Sequence, residues 1–209
     1  IGANTGYYVC KALQKEIRTI AFEPNQLNVN ILLRNIEANN FDADFSLFPI
    51  ALSNELGVLP LFGASTGASL VKGWAGQVSN TLVPISSFDS TALPLTEDQK
   101  CFVMIDIEGA ELGCLKGAIS LLTSDTNNDF LIEICVNQNQ PDGTIVNPKL
   151  VETFEFIYSY GYVGYTVGAK MRKVELSEVK KIASTNVDTL RVYNFIFTKS
   201  DEILNELKS

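Results

Sequence analysis

CFVMID, at residues 101–106, is a continuous apolar run that ends in an acid. Such a run predicts a strand buried on both faces of a sheet. A second run, FLIEICV at residues 130–136, predicts another buried strand. Between them, apolar side chains recur every three or four residues after Glu111, which predicts one helix whose apolar face is formed by Leu112, Leu115, Ile119 and Leu122. Strand, helix and strand in this order indicate parallel strands joined by a crossover helix.

The same alternation of strands and helices extends over the rest of the chain. Helices are predicted at residues 7–18, 26–38, 148–158 and about 175–183. Tyr8, Leu13 and Ile17 are expected to face the core from the first helix. The other predicted strands lie at residues 19–23, 45–52, 57–62, 162–167 and 190–198, and the last two could pair antiparallel. The chain is therefore predicted to be one α/β domain over residues 1–209, a mostly parallel sheet in a three-layer sandwich with an antiparallel edge.

Composition excludes several classes of function. The net charge of −8 argues against a nucleic-acid partner, since phosphates favour a basic surface. No apolar stretch approaches the ~18 residues of a membrane span. The four cysteines form no CxxC pair, which favours reduced thiols and a cytoplasmic location. The chain has no histidine, so Ser-His and Cys-His catalysis are excluded.

Two features near the amino terminus are typical of a nucleotide-binding site. Gly2-Ala3-Asn4-Thr5-Gly6 precedes a predicted helix, and its glycines would let the backbone approach a ligand closely. The turn does not match the GxGxxG dinucleotide pattern. Glu23 ends the next predicted strand, where an acid can accept hydrogen bonds from ribose hydroxyls. Either feature alone could be structural, but the two together favour nucleoside binding.

A third candidate feature is the acid cluster that follows residues 101–106. Asp106, Glu108 and Glu111 repel one another at a strand end unless a cation relieves the repulsion. A sulfonium, an amine or a metal ion would do so. Glu111 could instead stabilise a helix N-terminus, whereas Asp106 and Glu108 are better explained by a function.

These motifs, in their order and spacing, resemble those of the FkbM family of methyltransferases. The matching segments are Gly2–Tyr8, Phe22–Asn25, Ala51–Asn54, Met104–Gly117 (MIDIEGAELGCLKG), Leu131–Ile134 and the closing Asn194–Phe197. The resemblance covers nearly the whole chain, and IDIEGAE is its most specific part. It implies a Rossmann-like class I methyltransferase fold that uses S-adenosylmethionine, commonly to O-methylate a sugar, a glycan or a natural product.

The resemblance also implies roles for individual residues. The turn formed by Gly2, Ala3, Asn4 and Gly6 would face the methionine part of the cofactor, and Glu23 would bind the ribose. Ala51 and Leu52 would lie near adenine, while Asp106 would lie at the mouth beside the cofactor and acceptor, with Glu108 close by. The family's first strand would precede Ile1, so the natural chain is expected to extend upstream. Many members carry a histidine after the LIEI strand, where this chain has Val136-Asn137.

Without that histidine, the base that deprotonates an acceptor hydroxyl is expected to be Asp106 first, or Glu133 second. No metal is predicted, although Asp106, Glu108 and Glu133 could hold Mg²⁺. The alternatives are a noncatalytic cofactor-binding domain and an NAD-dependent oxidoreductase. Loops at residues 63–80 and 137–147 are expected to bind the acceptor, and Trp74 in the first could stack on a sugar or simply pack. The sequence leaves the oligomeric state open.

Overall fold

The computed structural model describes residues 1–41, 44–64, 66–91, 93 and 99–200. Its strands are β1 (Thr19–Phe22), β2 (Phe45–Phe48), β3 (Ala51–Leu52), β4 (Gly57–Phe62), β5 (Asn80–Ser86), β6 (Phe102–Ile105), β7 (Asp129–Glu133), β8 (Val163–Thr166) and β9 (Asn194–Thr198). Its α-helices are α1 (Tyr7–Leu13), α2 (Gln26–Asn39), α3 (Glu111–Lys116), α4 (Ile119–Thr123), α5 (Leu150–Ser159) and α6 (Leu176–Thr185). Two short 3-10 helices lie at Trp74–Gly76 and Phe88–Thr91.

The strands pair in three groups. β1 and β2 are parallel, β5 lies between parallel β3 and antiparallel β4, and the last group has the order β6-β7-β9-β8. In that group β6 and β7 are parallel, while β9 is antiparallel to both its neighbours. The predicted α/β class, with parallel strands and an antiparallel edge, is confirmed.

The first residues of the chain link two of these groups. The amino group of Ile1 donates to the carbonyl of Met104 at 2.8 Å, and the amide of Gly2 donates to the carbonyl of Phe22 at 2.9 Å. β1 and β6 therefore lie on either side of these first residues, with their carboxyl ends at the same edge. The end of β1 carries Glu23 and the end of β6 carries Asp106.

The main core lies around β6, β7 and β9, covered by α3 to α6. Phe154 of α5 is fully buried and its ring lies 5.3 Å from that of Phe195 and 5.4 Å from that of Phe197. Edge-on and tilted aromatic contacts of this kind add to the burial of apolar area. This packed core supports the acids at the ends of β6 and β7.

Several local predictions were wrong. Tyr8 lies on the solvent side of α1 and is 59% exposed. Ile17 is 56% exposed and falls beyond the helix, because α1 ends at Leu13 and the chain turns at Glu16, whose φ is +57°. The single helix predicted after Glu111 is broken near Gly117. Ala118 there has a non-helical ψ of 43°, and Gly117 packs directly on the carbonyl of Ser53.

Two further observations concern membrane and redox properties. Over the part of the chain that the structure describes, no helix is both long and apolar enough to cross a bilayer. All four cysteines are free thiols, with Cys114 and Cys135 buried and Cys10 and Cys101 half-buried.

Candidate functional site

A cleft opens at the edge where β1, β3 and β6 end. Including the space open to solvent, it encloses about 610 Å³. One side is polar, formed by Asn4, Glu23 and Asn28, and the acids Asp106 and Glu108 lie on another side. Apolar side chains complete the wall: Ile50, Ala51, Leu52, Leu61, Ala68 and Leu70.

The glycine turn forms one rim of this cleft. Gly2, Asn4 and Gly6 all have positive φ, at +76°, +51° and +90°. A Cβ on Gly2 would overlap the carbonyl oxygen of Asp106, so glycine is required for the turn to pack against β6. Gly2 and Asn4 line the cleft. Ala3 and Gly6 do not, because Ala3 packs into a small core beneath α1 and Gly6 precedes α1 and lies against Leu32.

The carboxylate of Glu23 is held in place by neighbouring polar groups. It is 5% exposed and accepts hydrogen bonds from the amide of Asn4 at 2.8 Å and the amide of Asn25 at 2.9 Å. The side-chain amide of Asn28 donates to it at 3.3 Å. A carboxylate has about four acceptor positions, so at least one remains for a ligand hydroxyl in the cleft. Asn28, which the sequence analysis missed, could have been found as a polar residue on the inner face of α2.

Asp106 and Glu108 lie together where β6 ends. Partial burial raises the pKa of Asp106, and the nearby Glu108 carboxylate raises it further. Glu108 has a left-handed backbone with φ +57°, and its side chain accepts a hydrogen bond from the indole of Trp74 at 2.6 Å. Both acids face a cleft in which a positively charged ligand group would be stabilised.

Glu133 lies beside Asp106, although it is not part of the cleft wall. Ile105 of β6 pairs with Ile132 of β7, so the residues that follow each of them are neighbours at the strand ends. Burial raises the pKa of Glu133 from 4.5 to about 7, with further contributions from Asp106 and Glu108. The side chain can therefore exchange a proton near neutral pH.

Glu111 has a structural position rather than a place in the cleft. It is 3% exposed, and one of its oxygens accepts a hydrogen bond from the amide of Gly109 at 2.8 Å. Burial raises its pKa from 4.5 to about 7, and the charges of Asp106 and Glu108 raise it further. The helix-terminal role considered for Glu111 fits its position at the start of α3.

The arrangement of these acids bears on the magnesium alternative. Among the described residues, no three Asp, Glu, Cys or His side chains are grouped as metal ligands. Asp106, Glu108 and Glu133 are therefore neighbours without a common point of coordination, and Glu108 is hydrogen-bonded to Trp74.

The two loops expected to bind the acceptor contact each other. The amide of Ala75 donates to the carbonyl of Asn139 at 2.8 Å, and Gly73 packs on Pro141. Trp74 is only 2% exposed, so its ring has no free face for a sugar, and the packing alternative is the one observed. Asn137 and Gln138 are exposed beyond β7.

Comparison with known proteins adds to this geometry. A family model described as "Methyltransferase FkbM domain" matches residues 1–165. A solved structure described as methyltransferase FkbM from Methylobacillus flagellatus KT is similar in fold, with a TM-score of 0.54 and 16% sequence identity. The match covers 94% of this chain and 41% of that one, so the chain spans about two-fifths of its length. No curated protein matches the chain.

Proposed function

Because the chain belongs to the FkbM family of methyltransferases, we propose that its methyl donor is S-adenosylmethionine and its acceptor a hydroxyl of a sugar, a glycan or another natural product. The observation that carries the proposal is the convergence of the glycine turn, Glu23, Ala51-Leu52 and Asp106 on one cleft. These features come from separate segments of the chain: the glycine turn and Glu23 favour a nucleoside, and Asp106 belongs to the acids that favour a cation.

The chemistry of the cleft wall fits the proposed cofactor. Adenosine presents an apolar ring, which suits Ala51 and Leu52, and two ribose hydroxyls, which suit the fixed carboxylate of Glu23. The methionine part carries a sulfonium and an amine, and both are favoured by Asp106 and Glu108. Gly2 and Asn4 line the cleft, and Ala3 and Gly6 belong to the same turn. We therefore assign all four residues to the cofactor site.

When bound, the cofactor supplies a methyl group on a positively charged sulfur that leaves readily. In the transfer the sulfur–methyl bond breaks, an oxygen–methyl bond forms and the acceptor hydroxyl loses its proton. The protein contributes alignment of the acceptor, exclusion of water by Leu61 and Leu70, and a base for that proton.

Asp106 is the first candidate for this base, because it lines the cleft and its raised pKa makes it a better proton acceptor than an ordinary aspartate. Glu133 is the second, with a pKa of about 7 beside Asp106. Either arrangement works without the histidine that this chain lacks.

Calorimetric titration with S-adenosylmethionine, S-adenosylhomocysteine and NAD tests the proposal. The first two should bind, and Glu23→Gln should weaken binding at least about tenfold, since a hydrogen bond to a charged group contributes about 1.5–3 kcal/mol. Glu37→Gln, at an exposed position on α2, is the matched control and should bind like the wild type.

The other functions predict different results. Binding of NAD without S-adenosylmethionine would favour an oxidoreductase and overturn the proposal. Saturable binding of S-adenosylmethionine, with no methyl transfer to any of a panel of sugars and polyols, would favour a noncatalytic domain. Methyl transfer that persists in a chelator would argue against a magnesium requirement.

A further inference from the structure

The side chain of Trp74, the only tryptophan of the chain, donates its one hydrogen bond to an acid of the cleft. The indole nitrogen donates to Oε2 of Glu108 at 2.6 Å, and the ring is 2% exposed. Charge-assisted bonds of this length are stronger than neutral ones. With the described residues, Glu108 forms no ion pair to a lysine or arginine.

The backbone of Glu108 is also held by the segment that carries Trp74. The hydroxyl of Ser69 donates to the carbonyl oxygen of Glu108 at 2.5 Å. Glu108 and Gly109 are both left-handed, with φ of +57° and +94°. A Cβ on Gly109 would lie 2.5 Å from a ring carbon of Trp74, so the indole can pack here only against glycine.

This geometry constrains Glu108 more than packing of a tryptophan requires. A left-handed backbone is unfavourable for a non-glycine residue, and such strain persists only where its surroundings impose it. Here the surroundings act on both the backbone and the side chain of Glu108. The result is a carboxylate with one fixed orientation on the wall of the cleft.

We propose that Trp74 is a positioning residue, which holds the Glu108 carboxylate where the cationic part of the methyl donor binds. The inference rests on the S-adenosylmethionine dependence proposed above. The segment of residues 66–77 then has two functions: Ala68 and Leu70 line the cleft, and Ser69 and Trp74 hold Glu108 in place.

Two variants separate the hydrogen bond from the charge. Trp74→Phe removes the N–H donor and keeps a smaller aromatic side chain, whereas Glu108→Gln keeps an acceptor and removes the charge. Each should weaken S-adenosylmethionine binding about tenfold, the equivalent of ~1.4 kcal/mol. In the double variant the effects should not add, because the indole acts through the carboxylate.

A matched control addresses loss of stability. Phe154→Leu disturbs the core around Phe195 and Phe197 and leaves the cleft wall intact, so it should lower the Tm without changing the affinity. Trp74 also provides a spectroscopic signal from the full-length wild-type chain. Its emission should shift on saturation with S-adenosylmethionine, and the shift should be much smaller in Glu108→Gln.

The outcomes distinguish this inference from the proposed function. If the wild type does not bind S-adenosylmethionine, the proposed function is wrong. If the wild type binds and Trp74→Phe binds equally well, or if the two single effects add fully, the positioning role is wrong and the proposed function stands. Should Trp74→Phe not fold, the emission experiment decides, and a wild-type emission unchanged by saturating ligand overturns the inference.

Discussion

Glu111→Gln is expected to stabilise the folded chain at pH 8. The wild-type carboxyl is 3% exposed and accepts a hydrogen bond from the amide of Gly109. Glutamine has nearly the same shape and can accept that bond through its own oxygen. The substitution therefore removes a buried negative charge and retains the contact at the start of α3.

The magnitude follows from the shift in pKa. Burial raises the pKa of Glu111 from 4.5 to about 7. A tenfold change in an ionisation equilibrium corresponds to about 1.4 kcal/mol, so ionised Glu111 lowers the free energy of unfolding by ~3 kcal/mol. The unfolded chain loses its proton near pH 4.5, whereas the folded chain keeps it until about pH 7. Stability due to this group is therefore present at acidic pH, falls as the pH rises through this window and stays low above it.

Urea unfolding at pH 5, 6, 7 and 8 measures the effect. The free energy of unfolding of the variant should exceed that of the wild type by ~3 kcal/mol at pH 8 and by less than ~1 kcal/mol at pH 5. Glu37→Gln, exposed on α2, is the control and should show little difference at any pH. A difference for Glu111→Gln that is constant across the pH range, or a variant less stable than the wild type at pH 8, would refute the reasoning.

Three further predictions concern the base, the core and the helix break. The kcat/KM of methyl transfer should rise with pH through about 7 if Glu133 must lose its proton, and Glu133→Gln should flatten this rise. Phe154→Ala should cost about 3–5 kcal/mol in chemical unfolding, because the ring is fully buried. Gly117→Ala should destabilise by at least ~1 kcal/mol, since the new methyl group would overlap the carbonyl of Ser53. A Cβ added at Gly67 would have no atom within 4 Å, so Gly67→Ala should change the free energy of unfolding by less than ~0.5 kcal/mol.

Each of these predictions has a result that would contradict it. A pH profile identical in Glu133→Gln and the wild type would assign the base to another group, with Asp106 the next to test. A decrease of less than ~1 kcal/mol in the free energy of unfolding for Phe154→Ala would mean that neighbouring side chains move into the space left by the ring. Equal effects at Gly117 and Gly67 would show that the helix break does not depend on contact with Ser53.

The strands and their acids could be predicted because each depends on a local pattern. Residues 101–106 and 130–136 are apolar runs too short for isolated helices, and they become buried strands in any compact α/β arrangement. The prediction of β4 at residues 57–62 was also confirmed, but β5, its partner, was not predicted. Pro84 in β5 weakens the strand pattern, and only pairing with β3 and β4 stabilises that segment.

Exposure of helical side chains was less predictable. Leu13 is buried as expected, while Tyr8 on the same helix faces solvent. Apolar spacing shows that a helix has a hydrophobic face, but how much of this face is buried depends on elements elsewhere in the chain that pack on it. The break at Gly117 has the same origin, because it is set by contact with Ser53 from a distant strand.

For the candidate site, the sequence by itself determined the kinds of groups and their strand ends: a glycine turn, Glu23, and the acids after β6. Only the tertiary structure decided how these groups are held. It directed the amide of Asn4 to Glu23 and the indole of Trp74 to Glu108, which lies 34 residues away in the chain. Local patterns reflect backbone preference and burial, which neighbouring residues set, whereas such contacts depend on the packing of the whole chain.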